Sequence, residues 1–181
     1  EDLKEKKSSK TNNLTFMKSL KQKVKFVNCN ESNFDRALQL IHKTNQFNLS
    51  LNRYSSLELK KIIKHKDFST KLIKFNDKFG DHGLVGFYIL KKEKNFVRIV
   101  DFLLSCRVLY RGIEDYMIYR ILKVNIDKKL LINYRPSLLN NKLSPLFLQK
   151  IFFRFFKKKK SKKIYEVNYN KILNETKKIF N

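Results

Sequence analysis

Apolar positions along this chain alternate in some stretches and recur every three to four residues in others, and the change of period predicts most of its elements. KVKFVN (23–28) alternates and reads as a first strand. Asn30 or Ser32 then caps a helix in which Phe34, Ala37, Leu38 and Ile41 fall at i, i+3, i+4 and i+7; it runs out near Lys43. Ser55 and Glu58 have the spacing of a capping box before a second helix that buries Leu59, Ile62 and Ile63. KLIKF (71–75), LVGFYIL (84–90) and FVRIVDFLLSC (96–106) follow as strands. Their links DKFGDHG and KKEKN are short enough for hairpin turns, which predicts an antiparallel meander. IEDYMIYRILK then predicts a helix from about 113 to 124, KKLLINY (128–134) a strand, SPLFLQKIFFRFF (144–156) a helix with Pro145 in its first turn, and KIYEVNY (163–169) a last strand.

Between the first two helices, KTNQFNLSLNRY (43–54) is dense in side-chain amides, which compete for backbone hydrogen bonds, so an ordered loop is expected there. LTFMKSL (14–20) is a short amphipathic helix joining a polar tail to the domain. The expected division is a tail and linker helix at 1–20, one domain at 21–170 and a C-terminal end at 171–181, with no internal repeat. Opening on Glu1, the chain reads as a fragment or processed product. All four glycines, Gly80, Gly83, Gly86 and Gly112, lie in the central block, where positive φ or close approach is the expected reason.

Composition changes this picture little. With 181 residues, 42% of them hydrophobic and 13% aromatic, the chain has enough apolar content for a real core and is not a disordered polymer. Its net charge of +25 would draw any polyanion, but the basic residues are mostly Lys amid abundant Asn, Ile and Phe, as AT-rich coding produces. Without Arg forks, Gly-rich flexibility or a docking motif, no specific nucleic-acid partner is expected. No signal peptide or spanning segment is visible, so a cytoplasmic location is expected. Cys29 and Cys106 have no zinc or redox spacing and read as free thiols; no metal site is expected.

The chemistry is expected in 101–114, DFLLSCRVLYRGIE. There a strand opens through a short basic loop onto a helix, and a helix N-terminus favours anions and thiolates. Cys106 is the candidate nucleophile, Arg107, Arg111 and Gly112 the candidate anion cradle, and Asp101 a candidate base or amide-orienting group. His82, in the turn FGDHG, is a further candidate base.

The order strand, two helices, three strands, helix, strand, helix, strand is that of the GNAT acyltransferase fold, an α/β (α+β) architecture with a mostly antiparallel twisted sheet flanked by helices. KTNQFNLSLNRY (43–54), FGDHGLVG (79–86) and FLLSCRVLYRGIE (102–114) closely resemble the C-terminal GNAT-like domain of FkbH-type proteins. The likeness runs over roughly 14–155. In that family the domain follows a HAD phosphatase-like domain, of subfamily IIIC, and the whole protein loads a glyceryl group onto an acyl carrier protein. This chain departs from the family in three places. Tyr110 stands at the first glycine of the family's R-V-L-G-R-G loop; Tyr134, Pro136, Ser137 and Asn140 match Y-x-P-T-x-x-N with Ser for Thr; and the later F-Y and G-F elements are Phe147-Leu148 and Phe152-Phe153.

The resemblance implies acyl transfer to a carrier protein, with Cys106 holding the acyl group as a thioester in transit. Asn45, Gln46, Asn48, Arg53 and Tyr54 would line the acyl pocket. It implies no tightly bound cofactor, the acyl group arriving on the phosphopantetheine arm of a carrier protein or on coenzyme A. The implied partners are an acyl carrier protein and a HAD domain, upstream or in trans. Two alternatives remain open: a coenzyme-A-dependent N- or O-acyltransferase, and a non-catalytic basic docking module. The module's partner would be acidic or a membrane surface reached through FFRFFKKKKSKK (152–163).

Overall fold

A computed structural model of the protein describes residues 15–125, 127–140, 142–159 and 162–167. After a short helix α1 (15–19) come β1 (Lys23–Asn28), α2 (Phe34–Lys43), α3 (Ser56–Lys64), β2 (Phe68–Asp77), β3 (Gly80–Lys92) and β4 (Phe96–Leu104). They are followed by α4 (Ile113–Lys123), β5 (Lys129–Tyr134), α5 (Leu143–Ile151), β6 (Phe152–Lys159) and β7 (Lys162–Val167). The strands form one seven-stranded sheet in the order β1-β2-β3-β4-β5-β7-β6. Every neighbouring pair is antiparallel except β4 and β5, which are parallel.

Local sequence accounts for these starts and stops. Asn30 and Asn33 cap one another's backbone N–H groups in a reciprocal pair around a short 3-10 turn, and α2 follows at once. Ser55 and Glu58 form the expected capping box at the head of α3. Helix α2 buries Phe34, Ala37, Leu40 and Ile41, and α3 buries Leu59, against one face of the sheet. The other face packs under α4 and α5 through Ile113, Met117, Ile118, Ile121, Phe147 and Leu148. Gly86 in β3 has a spatial reason: a Cβ there would stand 3.0 Å from Leu104 Cδ1 and 3.1 Å from Ile73 Cγ1.

The C-terminal part corrects the expected layout. The helix expected over 144–156 ends at Ile151, and Phe152–Lys159 is a strand that forms a hairpin with β7. Helical spacing is ambiguous in a short run such as FFRFF, and aromatic residues fit a pleated strand at least as well. Strand β7, already joined to β5, gains β6 on its other side. Of the segment 152–163, expected as the route to a membrane surface, the described residues are strand at 152–159 and 162–163. The expected tail at 1–14 and the end at 171–181 lie outside the described residues. Among the described residues no helix is long and apolar enough to cross a membrane.

Candidate active site

Strand β4 carries a bulge that decides where its side chains go. Asp101 pairs with Ile89 and Ile99 with Leu90, which leaves Val100 as the extra residue. Val97, Ile99, Phe102 and Leu104 consequently all join the cluster under α4 and α5, whereas Val100 and Leu103 pack with α2 and α3. Asp101, 2% exposed, accepts hydrogen bonds from Ser50 Oγ, Asn52 Nδ2 and the Tyr54 hydroxyl. Burial, and then the Asp101 charge, push the Tyr54 phenol upward, so it remains a donor. The Asp101 carboxylate thus orders the end of the amide-rich loop.

That loop does more than cover the sheet. Beyond Ile99 and Ile132 strand β4 no longer pairs with β5, and the gap is filled by residues 47–49. Leu49 N donates to Phe102 O at 3.0 Å, Leu104 N donates to Phe47 O at 3.0 Å, and Arg135 N donates to Leu49 O at 2.8 Å. Phe47, Phe102 and Phe147 close the gap with packed rings. The Asn48 amide is used inside the loop, donating to Thr44 O and accepting from Leu51 N, and Asn140 Nδ2 donates to Asn48 O at 2.7 Å. Two stretches that carry the family resemblance, 43–54 and 134–140, meet at this bond. Arg53 donates to Ile41 O and Thr44 O at the end of α2 and to Asn45 Oδ1.

Cys106 follows β4, but its seat differs from the expected one. It opens a 3-10 turn, Cys106–Val108, and α4 begins only at Ile113, with Gly112 as N-cap. The thiol therefore belongs to the 3-10 turn and does not occupy the cap or first turn of α4. The exposed thiol instead lines a cleft of about 500 Å³ with Arg36, Gln39, Lys43, Asn45, Gln46 and Arg107, and Phe47 forms part of its wall.

On the other side of Phe47 a smaller groove of about 180 Å³ runs between α4 and α5, lined by Leu109, Tyr110, Glu114, Leu143, Leu146 and Phe147. It ends at the turn before α4, where Tyr110 has φ 65° and Gly112 φ 74°. Tyr110 keeps the left-handed backbone that the family's glycine adopts easily, and its side chain is 74% exposed, turned out of the fold. The Glu114 carboxyl side chain stands beside this turn in the same groove. The edge of β4, where an amide-bearing arm could pair, is already taken by Phe47 and Leu49.

Arg111 leaves the cradle expected for it. Its guanidinium pairs with Asp77 and lies over the Phe75 ring, and His82 Nε2 shares Asp77 at 3.0 Å while its ring stacks on Phe75. Burial would raise the Asp77 carboxyl, but the His82 bond, the Phe79 N–H and the Arg111 charge together hold it below the usual range. His82 thus serves this cluster, which ties the β2–β3 turn to the α4 loop. Among the described residues no group of His, Cys, Asp and Glu side chains is arranged to hold a metal ion.

The structure therefore brings Cys106, Arg107, Asn45 and Gln46 together, and groups Asp101 with Tyr54 and Arg111 with His82. Sequence reasoning missed Arg36, Gln39 and Lys43, which line the thiol's cleft. Their spacing of i, i+3 and i+7 marks one polar stripe of α2, a readable signal beside the apolar one. Asp77 had no such signal, since its partner lies 34 residues away.

The architecture, a mixed sheet with β4 and β5 parallel and parting, helices on both faces and a turn with two left-handed residues before α4, is the GNAT-like α/β fold. Solved structures share it. An acetyltransferase from Thermus thermophilus is similar over 82% of this chain and 97% of its own, with a TM-score of 0.62 and 13% identity. The PaiA N-acetyltransferase of Thermoplasma acidophilum, solved with coenzyme A, matches over 81% and 99% (TM-score 0.56, 14% identity). Spermidine N-acetyltransferase of Vibrio cholerae, solved with coenzyme A and spermine, matches over 83% and 98% (TM-score 0.54, 14% identity). No family model and no curated protein matches the sequence.

Proposed function

We propose that this chain is an acyltransferase of the FkbH type, in which Cys106 carries a glyceryl or similarly small acyl group on its way to the thiol of an acyl carrier protein. The observation that carries the reading is the placement of the thiol: Cys106 is exposed in a cleft whose wall, Phe47, also lines the groove leading to the turn before α4. The resemblance of 43–54, 79–86 and 102–114 to the FkbH-type domain supports it, as does the GNAT-like fold shared with acetyltransferases.

The pantetheine arm of a carrier protein or of coenzyme A supplies or accepts the acyl group through its thiol. The backbone of residues 110–113 would receive the arm's phosphate, and the apolar walls from Leu109, Leu143 and Leu146 would flank its chain. In the first half-reaction the Cys106 thiolate attacks the acyl carbonyl, the new C–S bond forms as the bond to the leaving group breaks, and the leaving group departs with that electron pair and takes up a proton. In the second, the carrier's thiol, giving up its proton, attacks the Cys106 thioester and Cys106 leaves as a thiolate. Asn45 and Gln46 would hydrogen-bond the acyl hydroxyls from the cleft wall. A HAD domain, upstream or in trans, would deliver the activated acyl group, and the chain's positive charge would speed encounter with an acidic carrier.

Intact-protein mass spectrometry tests this reading. The chain is incubated with donor and active HAD domain, and a single acyl adduct that disappears in Cys106→Ser and passes to added carrier protein is expected. Carrier loading without any Cys106 adduct would overturn the relay.

A further inference from the structure

We infer that Asp77 is a positioning residue for acyl transfer: through Arg111 it holds the backbone of residues 110–113 in the left-handed turn that would receive the arm's phosphate. This deepens the acyl-transfer reading, and it rests on that reading for what the turn binds.

The turn has a backbone that its own sequence does not favour. Tyr110 has φ 65° and Gly112 φ 74°, one on each side of Arg111. Gly112 takes that conformation freely, whereas the Cβ of any other residue is crowded there by the following carbonyl. Such a backbone persists only where the surroundings over-determine it. The Tyr110 side chain, 74% exposed, lies too far out of the fold for packing to hold it. Its neighbours are what is fixed. Val108 and Ile113 are buried and anchor the two ends, and between them the Arg111 guanidinium is tied to Asp77.

Asp77 is built for that hold. It is the last residue of β2, its side chain is buried, and its carboxylate takes donors from two separate segments. Arg111 Nη1 donates to Oδ2, Phe79 N donates to Oδ1 at 2.9 Å, and His82 Nε2 donates to the same oxygen at 3.0 Å. An ionised carboxylate only accepts, so His82 carries a proton on Nε2. The Phe75 ring completes the seat, with the Arg111 guanidinium over it at 5.6 Å and the His82 ring stacked on it at 5.1 Å. The β2–β3 turn is itself braced, since Lys78 N donates at 2.8 Å to the carbonyl of the buried Leu20. One carboxylate thus couples a braced hairpin to the middle of the strained turn.

The same pair decides what the turn can offer. With its guanidinium drawn to Asp77, Arg111 presents its backbone to the groove rather than a free cation. Binding there then depends on how the N–H groups at the head of α4 are aimed. A loosened turn would weaken the hold on the arm and leave the Cys106 cleft, on the other side of Phe47, as it is.

The two half-reactions, measured on the full chain, separate positioning from a general loss of structure. In Asp77→Asn and Arg111→Met, acylation of Cys106 by donor and HAD domain should keep the wild-type rate, while KM for the carrier protein rises about tenfold with kcat unchanged. Arg111→Lys, which keeps the ion pair, should restore most of that loss. Gly86→Ala, which crowds the core at Leu104 and Ile73, is the control for lowered stability and should leave KM as in wild type. In a Tyr110→Gly background the left-handed turn carries little steric cost, so Asp77→Asn should lose less than half as much. Amide hydrogen exchange of residues 109–113 needs no ligand, and it should quicken in Asp77→Asn and Arg111→Met but not in Gly86→Ala. Unchanged KM or unchanged exchange in both variants, a KM rise equalled by Gly86→Ala, equal slowing of both half-reactions, or an undiminished loss in the Tyr110→Gly background would overturn the inference. Should wild type load no carrier, the proposed function fails and exchange decides alone: quickening upholds the positioning role, and its absence ends it.

Discussion

Phe47 meets the ring of Phe147 edge-on, with centroids 5.1 Å apart, at the place where β4 has parted from β5. A residue of the loop after α2 and a residue of α5 thus close one gap in the sheet, and Phe47 becomes the wall between the thiol's cleft and the α4–α5 groove. Phe47→Ala removes a side chain only 3% exposed, and deletions of this kind cost about 3–5 kcal/mol. Urea denaturation should show that loss, and Phe47→Leu, which conserves most of the volume, should lose much less. If both variants match wild type, the ring is not a structural wall.

Asp101 sets a second expectation. It accepts from three side chains of the loop at 50–54, so removing one donor leaves a buried carboxylate lone pair without it. Tyr54→Phe should destabilise by about 1–3 kcal/mol. Asp101→Asn should cost more, because an amide NH₂ would face donors where an acceptor stood. If Asp101 acts only by ordering this loop, Tyr54→Phe and Asp101→Asn should depress acyl transfer in proportion to their effect on stability. A general base would show in Asp101→Asn alone, as a rate loss out of proportion to the stability change.

Much of the fold was legible because it is local. The capping box of Ser55 and Glu58, the apolar face of α2 and the meander β2–β3–β4 all follow from spacing within a dozen residues. The strand β6 was not, because FFRFF satisfies both periods and only pairing with β7 decides between them. The site was legible by composition more than by geometry. The segment 101–114 does hold the exposed thiol and the left-handed turn, yet the seat of Cys106 depends on the 3-10 turn inserted before α4. The loss of Arg111 to Asp77 depends on a contact across the sheet that no spacing announces. Asn45, Gln46, Asn48, Arg53 and Tyr54 were grouped by sequence, and the fold divides them: Asn45 and Gln46 line the cleft, whereas the Asn48 amide and Arg53 stitch the loop to itself and to α2.

The central glycines illustrate a smaller point with a measurable outcome. Gly86 is surrounded by Leu104 and Ile73 atoms at 3.0–3.2 Å from where a Cβ would stand. Gly86→Ala should therefore overpack the β2–β3–β4 core and cost about 1–3 kcal/mol in thermal or urea unfolding. A gain in stability would mean that the neighbours yield easily.

The two thiols should part company chemically. Cys106 is exposed and Cys29 is buried, with its thiol pushed by burial to about 11. In the native state a thiol reagent should modify one equivalent quickly, lose that reaction in Cys106→Ser, and reach the second only on unfolding. The raised value of Cys29 also fixes a pH dependence. The folded state favours the neutral thiol, so the stability it contributes is whole below the unfolded thiol's value of about 8.5 and is lost as pH rises toward about 11. Cys29→Ala should flatten that alkaline slope.

Asp77 makes the opposite prediction at acid pH. Its carboxyl is held below the ordinary range, burial being outweighed by His82, the Phe79 N–H and Arg111, so the folded state favours the ionised form. The stability from this group is therefore fully present above the unfolded carboxyl value of about 4 and is lost as pH falls through the lower folded value. Asp77→Asn keeps the shape but removes the charge that holds Arg111 and His82. The variant should be less stable than wild type by roughly 1.5–3 kcal/mol near neutral pH, the range for hydrogen bonds to charged groups, and the gap should narrow below about pH 4. Urea unfolding of both proteins across that range measures it. A gap that stays constant would mean that the carboxylate's charge contributes nothing and that the cluster is held by packing of His82 and Arg111 on Phe75 alone.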